Sequence, residues 1–238
     1  MKRILCLIMA IILISAFLVS CDDVTSTNGN GSDTSESTST IPEEHIGHVA
    51  PTADQIDLSV VDSIEGITVS ETPTDYVLIS VKNYGDMLVR LFPDVAPITV
   101  ANFKKLVGEG FYDGLTFHRV ISGFMIQGGD PKGNGTGGSD ESIYGEFASN
   151  GFENNLAHKR GVLSMARAND PNSASSQFFI CHKNTASVTN LDGNYATFGF
   201  VINGVEVVDK IAKVNTDSND KPLSKVVIES IKFVNLPD

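Results

Sequence analysis

Hydrophobic and polar positions divide the chain into three regimes. Residues 4–19 are an almost unbroken apolar run. Residues 22–40 are Ser, Thr, Asn, Gly and Asp with almost nothing apolar. After a mixed stretch, 41–66, short apolar segments punctuated by glycines begin at Ile67 and continue to Phe233.

Within the third regime, strand formers at 76–82 and 87–92 flank the turn residues Asn83, Tyr84, Gly85 and Asp86, the pattern of a β-hairpin. Pro97 suits the first turn of a helix. Val100, Phe103, Leu106 and Val107 recur at helical spacing until Gly108 and Gly110 stop them, which predicts a helix over 97–107. Short strands follow at about 115–121, 124–129, 161–166, 177–182 and 196–201. A second helix fits 204–212, where Val205, Val208, Ile211 and Ala212 share a face, and a last strand fits 226–233. Many short strands with two helices predict a mainly β, α+β domain over 67–236, built on a closed antiparallel sheet.

The first regime reads as an address. Lys2 and Arg3 precede the apolar run, and small residues close it, which describes a secretory signal peptide over 1–20. The run is short for a membrane span, which needs about 20 residues. Leu18, Val19, Ser20 and Cys21 resemble the lipobox of bacterial lipoproteins. That resemblance implies a lipid on the Cys21 sulfur, cleavage before it, and an exported protein held to a membrane. The polar second regime cannot bury enough surface to offset the entropy of ordering, so 21–66 is expected to be a flexible tether. His45 and His48 lie in it without further ligands nearby, and a solvated linker is the better reading.

The formal net charge of −12 argues against a nucleic-acid partner, which needs a concentrated positive surface. Cys181 is the only cysteine of the globular part and sits beside Phe178, Phe179 and Ile180, so a buried inert thiol is expected and no internal disulfide. Residues 133–138 fit G-x-G-x-x-G, but no helical pattern follows, so a glycine-rich loop is expected, not a dinucleotide site. His118 and His182 are isolated and argue no metal site. No G-x-S-x-G elbow is present.

Four ordered blocks carry an identification. They are residues 117–130 (FHRVISGFMIQGGD), 134–138 (NGTGG), 161–166 (GVLSMA) leading into 176–180 (SQFFI), and 191–193 (LDG) with Phe198 and Gly199. Together they resemble the cyclophilins, peptidyl-prolyl cis–trans isomerases, from about Tyr76 to Phe233. The resemblance implies an eight-stranded antiparallel β-barrel closed by two helices, proline-containing polypeptides as partners, no cofactor, and a monomer by default. It implies Arg119 as the catalytic arginine and Gln127 as the glutamine that hydrogen-bonds and orients it. Phe124, Met125, Phe179 and Leu191 match the proline pocket. Ala166, Arg167 and Gln177 match the substrate groove, the first two acting largely through their backbone, so that the Arg167 side chain should matter less.

Three positions depart from many relatives. Asn190 stands where Trp is common, which argues against tight cyclosporin binding but not against isomerisation. Tyr195 stands where His is common and is kept as a site residue, because it supplies an aromatic wall and a hydroxyl. Arg167 stands where Asn is common. Two functions are therefore expected in competition. One is a prolyl isomerase assisting the folding of exported proteins, and the other a proline-recognising binding module whose turnover is incidental.

Overall fold

The structure, a computed structural model, describes residues 47–237. Among the described residues nine strands and three α-helices follow one another as β1 (Thr68–Val69), β2 (Tyr76–Val81), β3 (Gly85–Leu91), α1 (Pro97–Gly108), β4 (Arg119–Ile121), β5 (Met125–Gly128), β6 (Val162–Met165), β7 (Phe178–Cys181), α2 (Ala186–Thr189), β8 (Thr197–Asn203), α3 (Val205–Ile211) and β9 (Ile228–Asn235). The strands form one antiparallel sheet in the order β1-β9-β2-β3-β8-β6-β7-β5-β4.

The expected antiparallel sheet with few helices is present, with nine strands where eight were expected and a ladder that runs from β1 to β4. The strand expected over 115–121 is shorter than its pattern predicts. Only Arg119–Ile121 joins the ladder. The residues before it turn to the start of β9, where Gly114 N–H donates to Ile228 O at 2.8 Å, Phe117 N–H to Val226 O at 2.9 Å, and Ile228 N–H to Leu115 O at 2.8 Å.

The hairpin and both predicted helices are present. Asn83 takes φ 67° in the β2–β3 turn, a conformation that Asn tolerates better than most residues. Helix α1 buries Val100, Phe103, Leu106 and Val107, the face its spacing predicted. Its N-cap, Ala96, offers no side-chain cap. The buried Glu146 supplies one from a distant loop, accepting Ile98 N–H at 2.9 Å and Thr99 N–H at 2.7 Å. A carboxylate there satisfies two free helix donors and opposes the positive end of the helix dipole. Phe103 then packs among Tyr112, Phe178 and Phe198, with ring centroids 5.1–5.6 Å away.

The expected tether is corrected over its last part. Residues 47–66 pack on the outer face of the sheet, so the packed chain starts well before 67; residues 1–46, with the signal segment and Cys21, lie outside the described residues. Ile56 is buried, and Leu58, Val61, Ile64 and Ile67 pack with it against Leu88, Phe92, Val162, Phe200, Ile202 and Val234. Val61 N–H donates to Ile202 O at 2.9 Å, Asn203 returns a bond to Val61 O at 2.7 Å, and Arg90 pairs with Asp57 at 2.6 Å. His48, expected in solvated linker, stacks on Phe152 with centroids 5.2 Å apart. Apolar residues on both faces of β3 and β8 need a cover on each side, and this strap is the outer one.

Candidate active site

Strands β4, β5, β7 and β6 lie side by side and set one row of side chains. Arg119 faces Gln127 in register, Gln127 faces Phe179, and Phe179 faces Ser164. Directly opposed residues share a face of a sheet, so the guanidinium, the amide and the ring project together. The turn at Ser122 and Gly123 brings Phe124 to the rim. The bend after α2 brings Leu191 and Tyr195, with Asn194 N–H donating to Leu191 O at 3.0 Å.

These residues enclose a cleft of about 220 Å³. Met125 and Phe179 are its buried floor. Phe124, Ala166, Leu191 and Tyr195 pack against them as walls, and Tyr195 meets Phe179 edge-on at 6.0 Å. Arg119, Gln127 and Arg167 line the polar side. Cys181 belongs to the same apolar cluster, where burial pushes its thiol up to about 12, the inert thiol its neighbours predicted. The predicted cleft residues are thus brought together, apart from Gln177. That residue lines an adjoining cleft of about 400 Å³, which shares Gln127, Ala166 and Arg167 with the first.

The orientation of Arg119 differs from expectation. Gln127 Nε2 donates to Gln177 Oε1 at 2.8 Å, and Gln177 Nε2 donates onward to Gly137 O at 2.7 Å. Arg119 instead gives its Nε–H to Asp220 Oδ2 at 3.3 Å. The amide is drawn away because the glycine-rich loop presents carbonyls that the Gln177 amide can reach. The loop itself is shaped by Asp130, whose buried carboxylate accepts the N–H groups of Lys132, Asn134 and Gly135 at 2.6–3.0 Å. Burial opposes the charge on Asp130, yet these donors outweigh it and hold the carboxyl below its usual range. A Cβ at Gly137 would overlap that carboxylate, which explains one glycine of a run that resembles a dinucleotide motif.

Asp220 was not visible in the sequence, 101 residues from its partner. It sits at φ 63° in a loop folded around Asp217, whose carboxylate accepts Asn219 N–H at 2.8 Å and Lys221 N–H at 3.0 Å. The loop is tied to β4 by Val120 N–H donating to Asp220 O at 2.8 Å. His182, isolated in the sequence, pins the turn that carries Phe124. Its Nδ1 accepts Gly123 N–H at 2.8 Å, its own N–H donates to Phe124 O at 2.9 Å, and its Nε2 lies 3.1 Å from Asp209.

Behind Phe179 lies a Ser–His–Asp arrangement. His158 Nδ1 is 2.8 Å from Asp192, and its Nε2 is 3.0 Å from Ser164 Oγ. Ser164 is fully buried, so no substrate reaches it as a nucleophile. The imidazole stacks on Phe179 at 6.0 Å. Asp192 also accepts His158 N–H at 2.6 Å, which fastens the bend carrying Leu191 and Tyr195.

The Arg167 side chain is more engaged than its family position implies. Its guanidinium lies over the rings of Phe147 and Tyr195, 5.1 and 4.8 Å from their centroids. It donates to Asn194 O at 3.1 and 3.0 Å, to Ala168 O at 2.9 Å and to Asn169 O at 3.2 Å. The aromatic wall is therefore held by a cation.

Comparison with known proteins agrees with this geometry. Residues 76–233 match the family described as cyclophilin type peptidyl-prolyl cis-trans isomerase. The chain is 44% identical over 150 residues to a peptidyl-prolyl cis-trans isomerase of Arabidopsis thaliana, covering 63% of this chain and 90% of that one. It is 43% identical over 150 residues to peptidyl-prolyl cis-trans isomerase-like 2 of Gibberella zeae, again 63% of this chain, but it spans only 25% of that relative. Among solved structures, a Cryptosporidium parvum cyclophilin type isomerase crystallised in the presence of the dipeptide Ala-Pro aligns with a TM-score of 0.60 at 36% identity, covering 66% of this chain and 97% of that one.

Proposed function

Since the chain belongs to the cyclophilin-type peptidyl-prolyl cis-trans isomerases, we propose that it catalyses rotation about X–Pro bonds with Arg119 as the donor. The carrying observation is Arg119 on the rim of a cleft floored by Met125 and Phe179. The barrier to be lowered is about 18–20 kcal/mol and arises from amide resonance. Rotation breaks that resonance and leaves a lone pair on the prolyl nitrogen. Because Asp220 takes the Arg119 Nε–H, the two terminal nitrogens of the guanidinium are left to donate to that lone pair. The bond exists only in the twisted state, so it stabilises the transition state selectively. The apolar floor grips the proline ring while the preceding carbonyl swings. An Ala-Pro dipeptide accompanying a structural relative supports a proline-containing substrate.

Exchange spectroscopy on an Ala-Pro peptide tests this. Arg119→Ala lowers the catalysed rate by about 100-fold, the scale of removing one transition-state donor. An unchanged rate would remove Arg119 from the mechanism.

The bonds between 114–117 and 226–228 support reading the sheet as a barrel closed by a short seam. The sequence of residues 1–21 supports an exported protein, lipid-anchored at Cys21, that serves the folding of other exported chains. Two or three acyl chains hold a protein firmly where one does not. Cys21→Ser moves the protein out of the membrane fraction or leaves it unprocessed, and normal acyl labelling of that variant would refute the anchor.

A further inference from the structure

The two adjoining clefts share a charge pattern at odds with the chain around them. The chain carries a net charge of −12, yet the only charged residues lining either cleft, among the described residues, are Arg119 and Arg167. Arg119 is paired with Asp220. Arg167 has no carboxylate partner among the described residues; carbonyl oxygens and two aromatic faces hold it. Carbonyls and rings fix a guanidinium in place without cancelling its charge. The rest of the larger cleft offers hydroxyls and amides, among them Thr136, Ser139, Ser173, Ser175 and Gln177. Such a lining suits a hydrogen-bonding anionic side chain better than an apolar one.

We propose that Arg167 makes the protein selective for an acidic side chain flanking the proline of its X–Pro substrate. This rests on the isomerase reading and adds the class of substrate to it. A peptide with its proline ring on Met125 and Phe179 continues past Gln127 and Ala166, the residues common to both clefts, and so brings a neighbouring side chain to Arg167. Exposed charges farther away than a Debye length, about 10 Å at 0.1 M salt, are largely screened, whereas Arg167 lines the site itself.

The flanking charge is the same in the planar and twisted states of the substrate. The preference therefore enters KM and leaves kcat unchanged.

The test uses the full-length chain and peptides carrying Glu, Gln or Lys one or two positions to either side of an Ala-Pro bond. Exchange spectroscopy reads turnover, and chemical shifts in the same titration read affinity. On one side of the proline, Glu is preferred to Gln and Gln to Lys, by about two- to fivefold per charge, the range of partly exposed ion pairs. The order weakens as salt is raised from about 10 mM to about 1 M, where the Debye length falls to about 3 Å. Arg167→Lys keeps the order, although the loss of its planar fork lowers the overall rate. Arg167→Gln levels the order. Equal handling of the three peptides, or an order that survives in Arg167→Gln, overturns the selectivity while leaving isomerisation intact. Absence of exchange with every peptide overturns isomerisation instead, and the affinities still decide whether the acidic side chain is preferred.

Discussion

Arg119 Nε and Asp220 Oδ2 lie 3.3 Å apart, joining the edge of the sheet to a loop that returns 101 residues later. Both side chains are about two-fifths exposed, so the pair contributes little to stability. Its effect is geometric, since it restrains the plane of a guanidinium at the rim of the cleft. Asp220→Asn, which keeps an acceptor and tolerates φ 63°, retains most of the activity. Asp220→Ala lowers kcat by about tenfold with KM nearly unchanged, because a loose donor loses pre-organisation and not ground-state binding. A KM effect alone would show that Asp220 merely shapes the cleft. Steady-state rates with both variants make the distinction.

The turn bearing Phe124 is held through a neutral histidine. Gly123 N–H needs an unprotonated Nδ1 on His182, while Asp209 faces Nε2. Burial lowers the His182 pKa from 6.5, Lys183 and Arg160 add to this, and Asp209 opposes it. Asp209 itself is held at about 2: burial opposes its ionisation, but Arg160 and Lys183 outweigh it, so its charge is constant across the useful range. With the folded pKa below the unfolded one, the stabilisation is complete above about pH 6.5 and is lost as pH falls toward the folded value. His158, whose pKa burial also lowers, acts in the same direction. Melting temperatures between about pH 8 and pH 5 fall less steeply in His182→Asn than in the parent chain. Parallel curves would mean that His182 does not titrate in this window.

Residues 47–66 are part of the folded unit. A chain beginning at residue 67 exposes Leu88, Phe200, Ile202 and Val234 and loses stability, with a strong tendency to self-associate. A single change, Ile56→Ala, destabilises by about 2–3 kcal/mol, at the low end for a buried aliphatic residue. Chemical denaturation measures both. A truncated chain of unchanged stability would return this segment to the status of a spacer.

Local pattern carried the parts of the fold in which neighbours in sequence are neighbours in space. The β2–β3 hairpin and helix α1 were readable because alternation and the spacing of Val100, Phe103 and Leu106 record which side is buried. The single turn of α2 has too few residues for a period to appear. The strap is not legible because its apolar residues, Ile56, Leu58, Val61 and Ile64, are sparse among acidic ones, and their partners include the outward positions of β3 and β8. The cleft residues were readable only through family resemblance, since Met125 and Phe179 look like any core residue. What escaped were second partners. Asp220, His182 and Asp209 act through contacts made by folding, and neither spacing nor residue type distinguishes them from surface polar groups.

The hydrogen bond from Val120 to the carbonyl of Asp220 has one more consequence. Strand β4 is the last in the sheet, and a bare outer strand is a template on which extended chains can stack and aggregate. With its outward donor occupied by its own loop, the margin beside Arg119 is closed to such stacking.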